Sequence, residues 1–176
     1  SLTVSPNEDR RYLVPVDESV TMRNTVAYVL QRAAESSAPA TVHFVAVEAT
    51  REFAPDADAE VTAARELLER IELWAEEDLG EESSVGIETA IVGEERYLFS
   101  PGEYAETILE YARDEDVDHI VLDPEYEPAV TAPMLRPLQV ELSRSEIDVE
   151  EAPVERATRR RTLARAGTLP KYVAVF

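Results

Sequence analysis

Four short apolar runs, each followed by a stretch with helical spacing, constrain this chain more than any other feature. They are Arg10–Val16, Thr41–Val47, Val85–Val92 and His119–Asp123. The second, Thr-Val-His-Phe-Val-Ala-Val, is nearly continuous and rich in β-branched residues, as a strand covered on both faces should be. Between the runs, Met22, Val26, Val29, Leu30 and Ala33 recur at helical spacing, as do Val61, Ala64, Leu67, Leu68, Ile71, Trp74 and Ala75. A third helix starts at Ser100-Pro101-Gly102-Glu103, a capping box with proline at its first position, and continues through Tyr104, Ala105, Ile108, Leu109, Tyr111 and Ala112. Met134 to Ser143 reads as a short helix, and Ile147 to Val154, with Asp148, Glu150 and Glu151, as a charged, edge-like fifth strand. The alternation predicts an α/β, doubly wound, mostly parallel five-stranded sheet. Pro15 opposes this, because proline removes a ladder donor and is rare in central strands. Residues 50–58 and the proline-rich 124–137 read as loops, and residues 1–9 as an N-terminal arm. Ser19 or Thr21 caps the first helix in this reading.

The first and fourth runs share a further property: each is closed by a carboxylate, Asp17 and Asp123. In an open α/β sheet the carboxyl ends of the strands form the mouth where ligands bind. Composition narrows what such a site can be. The chain has no cysteine and two histidines, so thiol chemistry is excluded and no cluster has zinc-ligand spacing. His43 lies inside the second run with no second His or Cys near it, and reads as a packed or edge histidine; Trp74 reads as core. The 37 acids outnumber 17 bases, only one of them lysine (Lys171), for a net charge of −20. That balance suggests a salt-adapted surface and a halophilic cytoplasm, where carboxylates keep the protein soluble despite screening. It also gives any pair of carboxylates an ordinary explanation. No apolar run approaches the roughly 20 residues needed to span a bilayer.

The layout over residues 10–155 resembles the universal stress protein family. Leu13-Val14-Pro15-Val16-Asp17-Glu18-Ser19 resembles its first strand and turn, and Ser100 to Leu122 its third helix and fourth strand. The resemblance implies a Rossmann-like sheet of order 3-2-1-4-5. It also implies an adenine contact at Asp17, with Val47, at the end of the second strand, a ligand-binding candidate by position. The family holds phosphates through a glycine pattern after the fourth strand. Here the five glycines are Gly80, Gly86, Gly93, Gly102 and Gly167, so none follows Leu122 before Ser145, and Asp123 stands in place of the first. Without glycine the backbone cannot approach a phosphate closely. ATP binding in the family's usual manner is therefore not expected, and no cofactor is assigned. If the first and fourth strands are neighbours, Asp17 and Asp123 meet at the mouth and could hold a hard cation such as Mg²⁺, or stand as two solvated carboxylates.

Residues 156–176 hold six bases and no acid, against a net −26 for residues 1–155. Basic residues ahead of the apolar Tyr172–Phe176 fit the cytoplasmic flank of a removed membrane region, and fit equally an ordinary terminal element packed on the domain. Nucleic acid is not an expected partner of so acidic a body. Val14 to Tyr28 resembles the soluble domain that halophilic archaea attach ahead of one subunit of the multisubunit monovalent cation/proton antiporter. That resemblance implies a non-catalytic, cytoplasmic accessory domain of a Na⁺/H⁺ antiporter subunit, tethered to the inner face of the membrane. Its partners would be other antiporter subunits and, as family members often do, a second copy in a homodimer. The alternative is a free-standing universal stress protein binding a nucleotide or other small ligand. An enzyme is not expected, since nothing supplies a nucleophile or an oxyanion hole beside the two aspartates.

Overall fold

The computed structural model describes residues 9–48, 57–81, 83–94, 100–126 and 135–154. The element order is β1 (Arg10–Pro15), α1 (Met22–Ala34), β2 (Ala40–Val47), α2 (Ala57–Leu79), β3 (Val85–Val92), α3 (Pro101–Asp114), β4 (His119–Leu122), α4 (Leu135–Ser143) and β5 (Asp148–Glu151). All strand pairs are parallel, in the order β3-β2-β1-β4-β5. This is the expected doubly wound sheet. The basic tail at 156–176, residues 1–8 of the arm and most of the proline-rich loop lie outside the described residues. Among the described residues no helix is long and apolar enough to cross a membrane.

Alternation along β1 divides the interior into two cores. Tyr12, Val14 and Val16 face one way and pack with Met22, Val26, Val29 and Leu30 of α1 and Leu67, Leu68, Ile71 and Ala75 of α2. Leu13 faces the other way, packing with Tyr104, Ile108 and Leu109 of α3 and Leu138 and Leu142 of α4. Each of these fully buried aliphatic side chains contributes about 1.5–3 kcal/mol by leaving water. A helix layer on each side is what makes the strands apolar on both faces.

Pro15 is accommodated by where its missing donor falls. The Val16 N–H donates to the Val45 carbonyl at 2.9 Å, so alternation turns the Pro15 nitrogen toward β4. On that side the register holds only Tyr12 with His119 and Leu13 with Ile120, and stops two residues before Pro15. On the β2 side all six residues of β1 are paired. The central strand is thus fully laced to one neighbour and barely to the other.

Local signals hold where they are covalently close. Ser100 caps α3, accepting from the Glu103 N–H at 3.2 Å and donating to Glu103 Oε1 at 3.0 Å. Gly93 ends β3 at φ +86°, a conformation a side chain would resist. Two expectations need correction. Thr21 occupies the N-cap position of α1 but makes no capping bond, because its hydroxyl is engaged elsewhere. The predicted loop 50–58 is shorter than read, since α2 begins at Ala57.

Candidate functional site

The mouth of the sheet is built where β1 and β4 end beside the first turn of α1. Asp17 follows β1 and is half-buried; Asp123 follows β4 and is fully buried. Asp123 Oδ2 accepts from Thr21 Oγ1 at 2.6 Å, Ser19 Oγ at 2.9 Å and the Glu125 N–H at 2.8 Å, while its Oδ1 accepts from Thr25 Oγ1 at 2.5 Å. Thr21 and Thr25 stand one helical turn apart, so both hydroxyls face the same side of α1. A carboxylate at this end of a helix also meets the favourable pole of its dipole. The chain therefore supplies its own anion to the start of α1.

Ser19 joins the two aspartates. Its hydroxyl lies 2.7 Å from Asp17 Oδ1 and 2.9 Å from Asp123 Oδ2, and its backbone N–H donates to the same Asp17 oxygen at 3.1 Å. A serine has one hydroxyl proton, so it alternates between the two carboxylates or is shared by them. Asp17 and Asp123 do meet, as strand order implied, but through a serine. Tyr126, also fully buried, sits three residues beyond Asp123 with its hydroxyl 3.5 Å from that of Tyr104. Burial first, then Tyr104, then the charges of Asp17 and Glu48 hold the Tyr126 hydroxyl well above the ordinary tyrosine range. Its phenol thus remains neutral. Val47 closes β2 half-buried, its Cγ1 3.4 Å from where a side chain on Gly93 would begin.

Of these residues, Asp17, Val47 and Asp123 were legible as candidates; Ser19, Thr21, Thr25, Tyr104 and Tyr126 were not. The available signal was the spacing Ser19-x-Thr21-x3-Thr25 directly after a strand-ending aspartate, which puts three hydroxyls at one end of one helix.

His43 is also placed plainly. It is fully buried on β2, with Nδ1 2.9 Å from the Tyr111 hydroxyl and the two rings in edge contact at 5.6 Å. Burial lowers its pKa, outweighing Glu88 and Glu115, which raise it; Arg11 also lowers it. The same burial pushes Tyr111 up to about 12. The imidazole and the phenol are both neutral near pH 7.

Known proteins agree with this architecture. The model of the universal stress protein family matches residues 10–123. A universal stress protein from Archaeoglobus fulgidus superposes with a TM-score of 0.56 at 14% identity, covering 83% of this chain and 93% of that one. One from Burkholderia pseudomallei gives 0.54 at 20% identity, over 81% and 95%. A universal stress protein in complex with cAMP gives 0.53 at 14% identity, over 83% and 98%. The Archaeoglobus fulgidus protein in complex with dAMP gives 0.54 at 12% identity, over 84% and 98%. No curated protein matches by sequence. With the family model spanning β1 to the end of β4, this chain belongs to the universal stress protein family.

Proposed function

We propose that this chain is a non-catalytic universal stress protein domain that takes a small ligand at the mouth beside Asp17. A nucleoside or nucleotide is the leading class, gripped by base and ribose rather than by phosphate. The observation that carries the reading is the Asp123 carboxylate, drawn against the first turn of α1 by Ser19, Thr21 and Thr25. It stands where the family's phosphate loop would begin, and an added phosphate would meet a charge of its own sign. Support for the ligand class comes from two relatives of the same fold, complexed with cAMP and with dAMP.

Calorimetry in about 2 M KCl with adenosine, AMP, cAMP and ATP tests this. Affinity is expected to fall as phosphate charge rises, with ATP weaker than about 10 µM, roughly −7 kcal/mol. Asp17→Ala should lose adenosine binding by tenfold or more. ATP binding tighter than adenosine would overturn the reading, and so would adenosine binding that ignores Asp17. A parallel Mg²⁺ titration addresses the cation reading of Asp17 and Asp123. That reading requires the Ser19 hydroxyl to give up its position between them.

A second reading is the accessory domain of a monovalent cation/proton antiporter subunit. It rests on the basic cluster Arg156, Arg159, Arg160, Arg161 and Arg165 ahead of an apolar run. Association with antiporter subunits in a native membrane extract at high salt would support it, and their separation under those conditions would remove it. In either reading a homodimer would form through β5, the terminal strand of the sheet.

A further inference from the structure

A second polar cluster lies away from the mouth, between the sheet and the end of α3. His43 and Glu88 are direct register partners on β2 and β3, so their side chains project from neighbouring positions on one face. Glu115 approaches that face as the residue closing α3. One ring nitrogen of His43 and one carboxylate oxygen from each glutamate all lie within 4.8 Å of one another. Burial grades outward, from His43 at 0% exposure through half-buried Glu115 to exposed Glu88.

The independent observation is on the histidine. Its Nδ1 is engaged by Tyr111, but its Nε2 is buried without a hydrogen-bond partner among the described residues. A buried polar atom left unpaired costs about 1–3 kcal/mol, so such atoms are rare unless something else completes them. The Nδ1–Tyr111 hydrogen bond can run in either direction, and in the tautomer whose Nδ1–H donates to the phenol oxygen a lone pair is left on Nε2. A histidine held at one nitrogen and open at the other is the usual state of a metal ligand. Arg11, which donates to the Glu115 carbonyl at 3.4 Å, contributes one opposing charge. The two glutamates exceed it.

We propose that His43, Glu88 and Glu115 bind a divalent transition cation of the zinc type, with solvent completing the coordination. One imidazole nitrogen and two carboxylate oxygens suit Zn²⁺, at ligand distances of about 2.0–2.2 Å. In tetrahedral geometry that spacing separates ligand atoms by about 3.4 Å. The carboxylates must therefore close by an ångström or so, and the long, partly exposed glutamate side chains permit this. Mg²⁺ and Ca²⁺ prefer all-oxygen shells and gain little from the imidazole. The site lies on the α3 side of the sheet and does not depend on any ligand at Asp17.

The test is titration of the intact chain with Zn²⁺, and with Co²⁺ as a coloured substitute, in about 2 M NaCl containing excess Mg²⁺ to occupy surface carboxylates. One equivalent should bind, and the ¹⁵N resonances of the His43 ring should shift. Glu88→Gln, on an exposed edge-strand position, and Glu115→Gln should each weaken binding at least tenfold without changing the circular dichroism. Tyr111→Phe, which frees Nδ1, should weaken it by about tenfold. Loss of binding in Glu88→Gln with an unmoved fold confirms the assignment even if substitution of the buried His43 prevents folding. Equal affinity in all variants, absence of stoichiometric binding, or His43 resonances that do not respond to Zn²⁺ would each overturn it.

Discussion

The carboxylates at the mouth and those under α3 solve opposite problems. Asp123 is fully buried with both oxygens supplied by donors from its own chain. His43 is equally buried, yet one of its nitrogens has no partner among the described residues and two carboxylates stand near it. A satisfied polar network stabilises and orients the elements it joins, whereas an unsatisfied one costs stability until something fills it. The mouth residue at Asp123 is therefore part of the fold's own bracing, and the cluster under α3 is where an external cation would add stability. The two histidines repeat the contrast. His119 Nε2 has a carboxylate partner, Glu150 Oε1 at 2.8 Å, while His43 Nε2 has none among the described residues.

The largest expected effect is at the satisfied site. Asp123→Ala strands the hydroxyls of Thr21 and Thr25, while Ser19 keeps Asp17, and should cost about 3–5 kcal/mol in denaturant unfolding. A cost below about 1 kcal/mol would mean that the network carries little and would collapse the contrast. Thr25→Val removes one donor while keeping the shape, and should cost about 1–2 kcal/mol. That loss should vanish in the Asp123→Ala background, because neighbours in one network are not additive. The smallest effect lies in pH. Burial first, then Arg32, hold His119 below its ordinary value of 6.5. Opposing this are Asp148, Asp118 and the Glu150 carboxylate at Nε2, itself paired with Arg32; Arg10 lowers the value further, and Tyr12 meets the His119 ring edge-on. The unfolded chain therefore takes the proton first. Stability from this group is complete above about pH 6.5 and is lost as pH falls from there toward the folded value, with a slope of at most about 1.4 kcal/mol per pH unit. His119→Gln should flatten that acid limb. An unchanged slope would show that His119 is not its source.

Much of the architecture was readable from residues close together in sequence. Strand runs, helical stripes and the Ser100 cap depend on local spacing, and they fixed the element order and the parallel sheet. Pro15 looked like an objection only because the direction of its missing donor depends on which neighbour is β2 and which is β4. The role of Asp123 was hidden for two reasons. Its hydroxyl partners lie about a hundred residues earlier, and in a chain with 37 acids no single carboxylate stands out. His43 reads from sequence as a packed histidine, and it is one, fully buried on β2; what sequence does not show is the company it keeps. Its neighbours are glutamates brought in by register and by the end of a helix, and neither is visible before the strands are paired.

The short lacing between β1 and β4 has a mechanical consequence. With two register pairs on that side against six on the other, the sheet is two plates, β3-β2-β1 and β4-β5, meeting along a seam. Past Leu13 the seam is fastened by side chains rather than by backbone, through Asp123 reaching across to the hydroxyls of Ser19, Thr21 and Thr25. A load that spreads the plates would fall on that clasp and on the core packing of Val14 and Val16 with Val121 and Ala152. Opening it would widen the mouth without breaking a single strand.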